Sequence, residues 1–244
     1  MHASFSIANS AAASFKQVQT NPFRKTSLAA GVFYLLTFIS TPTLALYSSV
    51  HNPDYMIGYG TDNPVICGGL LEIVVALSGI ATAVILYPVL RKQSESLALG
   101  LVAARVLEAC TIFVGVAFLL SVVTLRKSGA GADAQVTGQA LVILYDRIFL
   151  LGQSFMPAIN DLLLGVLLYK SRLVPRTLSL IGIAGAAPLL VGYMAVLFGI
   201  IDRVSPLAGL SAVLVAVFEF SLGIYLLVKG FSKLPVTKNK QLAS

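Results

Sequence analysis

This sequence predicts an all-α fold, an integral membrane bundle of six transmembrane helices with both termini cytoplasmic. Three observations carry the prediction. Apolar residues fill 57% of the 244 positions and charged residues only 11%, against about 45–50% and about 25% in soluble domains. The apolar residues run in six long blocks instead of alternating with polar ones, the pattern of helices solvated by lipid. Lysine and arginine, finally, gather at one set of block ends.

The elements follow in order. Residues 1–25 form a polar cytoplasmic tail, rich in Ser, Ala, Asn and Gln up to Phe23. Cleavage of a signal peptide near Leu44-Ala45 is disfavoured by the long lead-in and the poor small-residue pattern, so the first helix is retained. A transmembrane domain, 26–230, holds the blocks: Ser27 to Tyr47, Pro64 to Leu90, Leu97 to Leu125, Gln139 to Tyr169, Thr177 to Ile201 and Pro206 to Val228. Each reaches the roughly 20 residues that cross a bilayer core, and the second to fourth exceed it, which predicts tilt or kinks. Residues 231–244 are a basic cytoplasmic tail.

Twelve Lys and Arg residues lie on one side of the blocks and three on the other, Arg126, Lys127 and Arg203. The richer side is cytoplasmic by the positive-inside rule. Tyr47 and Tyr145 fall near outer helix ends, and Tyr87, Tyr169 and Tyr225 near inner ends, as interfacial rings do. The net charge of +7 does not indicate nucleic acid, because no basic stripe with interleaved aromatics exists. Cys67 and Cys110 belong to no metal-spaced cluster and read as small buried hydrophobes.

Candidate functional residues are the ionisable groups inside the blocks: Glu72, Arg105, Glu108, Asp146, Arg147, Asp161 and Glu219, with Asn160 beside Asp161. Unpaired in hydrocarbon, each costs several kcal/mol, so each should face a partner, water or the bundle interior. Counting rise along the helices puts Glu108 and Glu219 near mid-membrane. Glu72, Asp146 and Arg147 come out in the outer half, Arg105 in the inner half and Asp161 nearer the inner face. Arg105 and Glu108 are three apart and share a helix face, where they can pair. Asp146 and Arg147 are adjacent and point to separate partners. Two arginines neutralise two of five carboxylates; the rest must be wetted, hydrogen-bonded or protonated.

Pro157 breaks the fourth block, freeing the carbonyl of Gln153 among Gln153, Ser154, Asn160 and Asp161. Pro42 and Pro188 are weaker breaks. Gly185, Gly192 and Gly199 recur every seven residues along one face of the fifth helix, allowing close approach of a neighbour. The outer loop, Ser48 to Asn63, either folds over the bundle or simply connects two helices, the plain connector being the simpler expectation. Lys170, Arg172 and Arg176 form a cytoplasmic basic turn suited to anionic headgroups.

Absent features narrow the function. The histidines are His2 and His51, both outside the blocks, so a histidine-held haem or zinc within the bundle is not expected, nor any other cofactor. No phosphate loop, His-Glu-x-x-His helix or Gly-x-Ser-x-Gly elbow occurs, so an enzyme is not expected.

Three stretches together carry a resemblance. They are Ala104-Arg105-Val106-Leu107-Glu108-Ala109, Leu168 to Arg176 with its Ser171-Arg172-Leu173-Val174-Pro175-Arg176, and Glu219 to Phe231. With Arg24 and Ala30-Gly31, their order and spacing resemble a bacterial family of multi-spanning membrane proteins catalogued as domain of unknown function 4386. The resemblance spans Arg24 to Phe231 and implies an inner-membrane protein with no assigned activity. It marks Arg105, Glu108, Ser171, Arg172, Pro175, Arg176 and Glu219 as recurrent without giving them roles. Tyr225 stands where the family pattern leads one to expect Trp.

The expected function is that of a non-enzymatic membrane protein whose buried polar network is structural, with a sensing or partner-binding role. The alternative is a small transporter or channel with a proton or small-solute pathway along those carboxylates. A homo-oligomer or another membrane partner is left open.

Overall fold

The computed structural model describes residues 23–129 and 131–232; most of the two expected tails, 1–25 and 231–244, lies outside them. The described residues form helices and turns, with no strand among them. α1 is Arg24–Leu36, followed by a 3-10 turn Thr37–Ser40 and the short α2, Thr43–Leu46. A 3-10 turn Pro53–Ile57 precedes α3, Asn63–Leu90, and α4, Glu95–Lys127. A 3-10 turn Gly131–Ala134 precedes the fourth block, which is covered by α5 (Gln135–Phe149), a π turn Leu150–Ser154 and α6 (Met156–Ser171). α7 (Arg176–Leu197) and α8 (Pro206–Val228) complete the bundle. Helix starts follow their chemistry: Ser94 and Ser205 hydroxyls accept from the amides of Leu97 and Ala208, and Pro206 occupies a first-turn position where no amide is needed.

Five of these segments are long and apolar enough to cross a membrane: Asn63–Leu90, Glu95–Lys127, Gly131–Ser171, Arg176–Leu197 and Pro206–Val228. The first block differs from the expected continuous helix. Thr37 and Thr41 hydroxyls bond back to the carbonyls of Tyr34 and Phe38, each at 2.7 Å, competing with the regular ladder. Pro42, which lacks an amide hydrogen, completes the break.

Around the bundle the neighbours run α1, α3, α4, the α5–α6 rod, α7, α8 and back to α1. The described ends of the chain meet. Arg24 donates to the terminal carbonyls of Leu226 and Leu227 at 3.2 and 2.6 Å, acceptors that the helix itself leaves free. Beside them, Gly31 faces the carbonyl of Gly223. At the opposite end the Tyr47 ring lies against bare Gly68 and meets Tyr145 edge to face, with centroids 5.4 Å apart.

The 48–63 segment is a packed cap and not a plain connector. Tyr55 and Met56 are buried with Val122, Val123, Ala134, Val142 and Tyr145. Arg126 donates to Asp62 at 3.0 Å and to the Gly60 carbonyl at 2.9 Å, over the Tyr55 ring at 4.3 Å.

The glycine stripe on α7 shortens. Gly185 packs on Leu214 and Val215 and Gly192 on Ser211, but Gly199 lies past the helix end at φ 69°, where it reverses the chain. Gly182, against Phe218, takes its place in the close approach. Cys67 and Cys110 are exposed on the bundle surface, not buried, because lipid is as apolar as a core and apolar neighbours do not signal burial.

Candidate functional site

The break in the fourth block is where two polar clusters divide. Pro157 falls in the first turn of α6, after a π turn in which the Phe155 amide donates to Leu150 at 3.2 Å. Such a bulge re-aims the side chains around it. Gln153 is turned toward Glu72 at 3.3 Å, whereas Asn160 donates to Glu108 at 2.8 Å.

The central cluster is built on Arg105. Its Nη1 donates to Glu108 Oε2 at 2.9 Å and its Nη2 to Glu219 Oε1 at 2.7 Å. The first contact is the one read from three-residue spacing. The second ties α4 to α8, across 114 positions. Gly79 on α3 packs beside the arginine stem, where an added Cβ would make an ordinary 3.7 Å contact, and the Tyr34 ring of α1 lies 5.8 Å from the guanidinium. Arg105, Glu108, Asn160 and Asp161 are all buried. One guanidinium thus joins Glu108 and Glu219 across two helices, with the buried Asp161 of α6 beside them. Beside Arg105 and Glu108 is a hollow of about 40 Å³, lined also by Thr37, Ala76 and Ile112.

The second cluster lies toward the 48–63 cap. Tyr145 donates to Glu72 at 2.8 Å, so Tyr47 and Tyr145, each 2% exposed, are core groups rather than interfacial anchors. Asp146 Oδ1 accepts from Arg203 at 2.8 Å and from His51 at 3.1 Å. It therefore joins the cap and the α7–α8 loop to α5. Arg147 does not join the network. It is exposed and has no ion-pair partner among the described residues. Three hollows of about 260, 360 and 430 Å³ open at this end.

The surroundings of His51 favour its charged form. Its Nδ1 faces the Tyr47 carbonyl at 2.8 Å and its Nε2 faces Asp146; both neighbours only accept, so the doubly protonated ring suits both. The bond to Asp146 raises His51 above its ordinary value of 6.5, against desolvation and Arg203, which lower it. A raised value means the contribution is full below the unfolded value and is lost as pH climbs through the folded one. Hydrogen exchange of residues 48–63 should therefore speed up roughly five-fold as pH passes that point, the worth of a partly exposed pair of up to about 1 kcal/mol. His51→Gln should show no such step.

At the other end Leu173 and Val174 are buried, Arg176 stacks on Tyr169 at 5.1 Å, and Arg172 ends α6 in a left-handed conformation at φ 54°. The turn thus presents its basic groups outward from an apolar anchor. Of the residues expected in a network, Arg105, Glu108, Asn160, Asp161 and Glu219 converge, Glu72 and Asp146 form the second cluster, and Arg147 stays apart. Sequence reading missed Tyr34, Tyr145, His51 and Arg203 as partners. A tyrosine inside an apolar block was the one available signal, since its hydroxyl requires a partner when buried.

Comparison with known proteins gives one match. The family model described as Domain of unknown function (DUF4386) matches residues 29–230. No curated protein and no solved structure matches. The chain belongs to that family.

Proposed function

We propose that this family member crosses a bacterial inner membrane six times with both termini cytoplasmic, is not an enzyme, and uses the Arg105 cluster as a clamp between helices in the service of sensing or partner binding. Six crossings are supported by parity. Five segments are long enough to cross alone. The broken first segment runs from the Leu226 end at Arg24 to the Gly68 end at Tyr47, which adds a sixth. The excess of Lys and Arg on the terminal side supports the orientation. Lys170, Arg172 and Arg176 lie on that side, within reach of anionic headgroups.

The observation that carries the clamp is the size of its hollow. About 40 Å³ accommodates roughly one water, against the roughly 300–1,000 Å³ of ligand pockets. A buried apolar layer of Ala76, Ala109, Ile112 and Val116 follows along α3 and α4 between Glu72 and the Arg105 cluster.

A small transporter or channel, with a proton or small-solute pathway past Glu108, Asp161 and Glu219, is the second reading. The π turn before Pro157 favours it, because discontinuous helices line pathways in transporters. Proteoliposomes under a potassium diffusion potential, with an internal pH dye, separate the two. The clamp expects no protein-dependent proton flux. Flux abolished by Glu108→Gln in a variant that still folds would replace the clamp with the pathway.

A further inference from the structure

Asp161 has none of its surface exposed, and neither of its carboxyl oxygens meets a hydrogen-bond donor. The donors around it do not reach it, and the Nε–H of Arg105 is left without an acceptor. Arg105 gives Nη1 to Glu108 and Nη2 to Glu219, and the Asn160 amide goes to Glu108. The group within hydrogen-bond reach of Asp161 is another carboxyl, Glu219. Two ionised carboxylates in that position have no hydrogen to place between them. In a medium without water their repulsion and desolvation both oppose double ionisation. The charges facing Asp161 do not relieve this. Arg105 comes from α4 with Glu108, Tyr34 from α1 and Glu219 from α8. α3 brings Gly79 toward Arg105, and α7, packed along α6, has no ionisable residue between Arg176 and Tyr193. One cation stands against three acids.

We propose that Asp161 and Glu219 share one proton, making this membrane-buried cluster a proton-binding site whose occupancy holds α6 against α8. Glu219 Oε1 already accepts from Arg105, so the Asp161 hydroxyl donates to the other oxygen of Glu219. Removing the proton leaves two facing anions on helices that touch little elsewhere. The water-sized hollow beside Arg105 and Glu108 is a place from which a proton can reach the cluster. This deepens the clamp reading: the ligand that the clamp senses is the proton.

The test is infrared spectroscopy of the purified full-length protein in membranes, comparing wild type with Asp161→Asn. The expected result is a protonated carboxyl C=O band in the wild type, shifted in heavy water, that is missing from the variant. Asp161→Asn should fold as well as the wild type, because its amide donates where the acid hydroxyl did, and should lose the fall in melting temperature that alkaline pH causes in the wild type. An unchanged carboxyl band in the variant, or an unchanged alkaline response, overturns the proposal. So does sodium chloride raising the wild-type melting temperature more than choline chloride at equal ionic strength with no such gain in Asp161→Asn, since the bound species would then be a metal cation. Failure of the clamp alone looks different: proton flux would appear in proteoliposomes while the Asp161 band stayed.

Discussion

Arg105→Met will destabilise the protein by about 3–5 kcal/mol, the usual cost of removing one partner from a buried ion pair. The methionine fills the space of the arginine stem beside Gly79, so little of the loss comes from a cavity. It comes from Glu108 and Glu219, which lose the donors at 2.9 and 2.7 Å and remain as carboxylates with no cation beside them. The triple variant Arg105→Met, Glu108→Gln, Glu219→Gln should recover much of that loss, because neutral amides carry no uncompensated charge. Unfolding in mixed micelles of mild detergent and dodecyl sulfate measures both. A single variant within about 1 kcal/mol of wild type, the size of an exposed pair, would mean that water reaches the cluster and that it clamps nothing.

The second large effect is expected at Gly31. A Cβ there would stand 2.8 Å from the Gly223 carbonyl oxygen, and a backbone atom cannot swing aside as a side-chain end does. Gly31→Val should cost about 1–3 kcal/mol by overpacking and loosen α1 from α8, along with the Arg24 bonds to Leu226 and Leu227. Gly209→Ala is the control. It opens onto free space on α8 and should leave stability unchanged or slightly raised. Equal melting temperatures for Gly31→Val and wild type would show that the two helices do not approach as closely as described.

How much was legible in advance differs from residue to residue. Arg105 with Glu108 could be read because both lie on one helix, where a three-residue spacing sets the geometry. The break at Pro157 could be read for the same local reason. Glu219 and Asp161 could be marked as costly in lipid but not joined, since nothing local says which helices are neighbours. The burial of Tyr47 and Tyr145, the exposure of Cys67 and the loss of Arg147 from the network share one cause. A helix that is apolar all round carries no periodic signal for its inward face.

What the sequence by itself determined was the medium and the parts: lipid around apolar helices, basic residues at one set of ends, and a handful of charges too costly to leave unpaired. These depend on composition and on spacing along one chain segment, which short-range physics governs. The tertiary structure alone decided which charges meet, that the 48–63 segment caps the bundle, and that Asp161 faces an acid instead of a base. Those outcomes depend on how helices far apart in sequence pack. In lipid that choice rests on small residues such as Gly31 and Gly182 and on matched polar groups, not on a hydrophobic face.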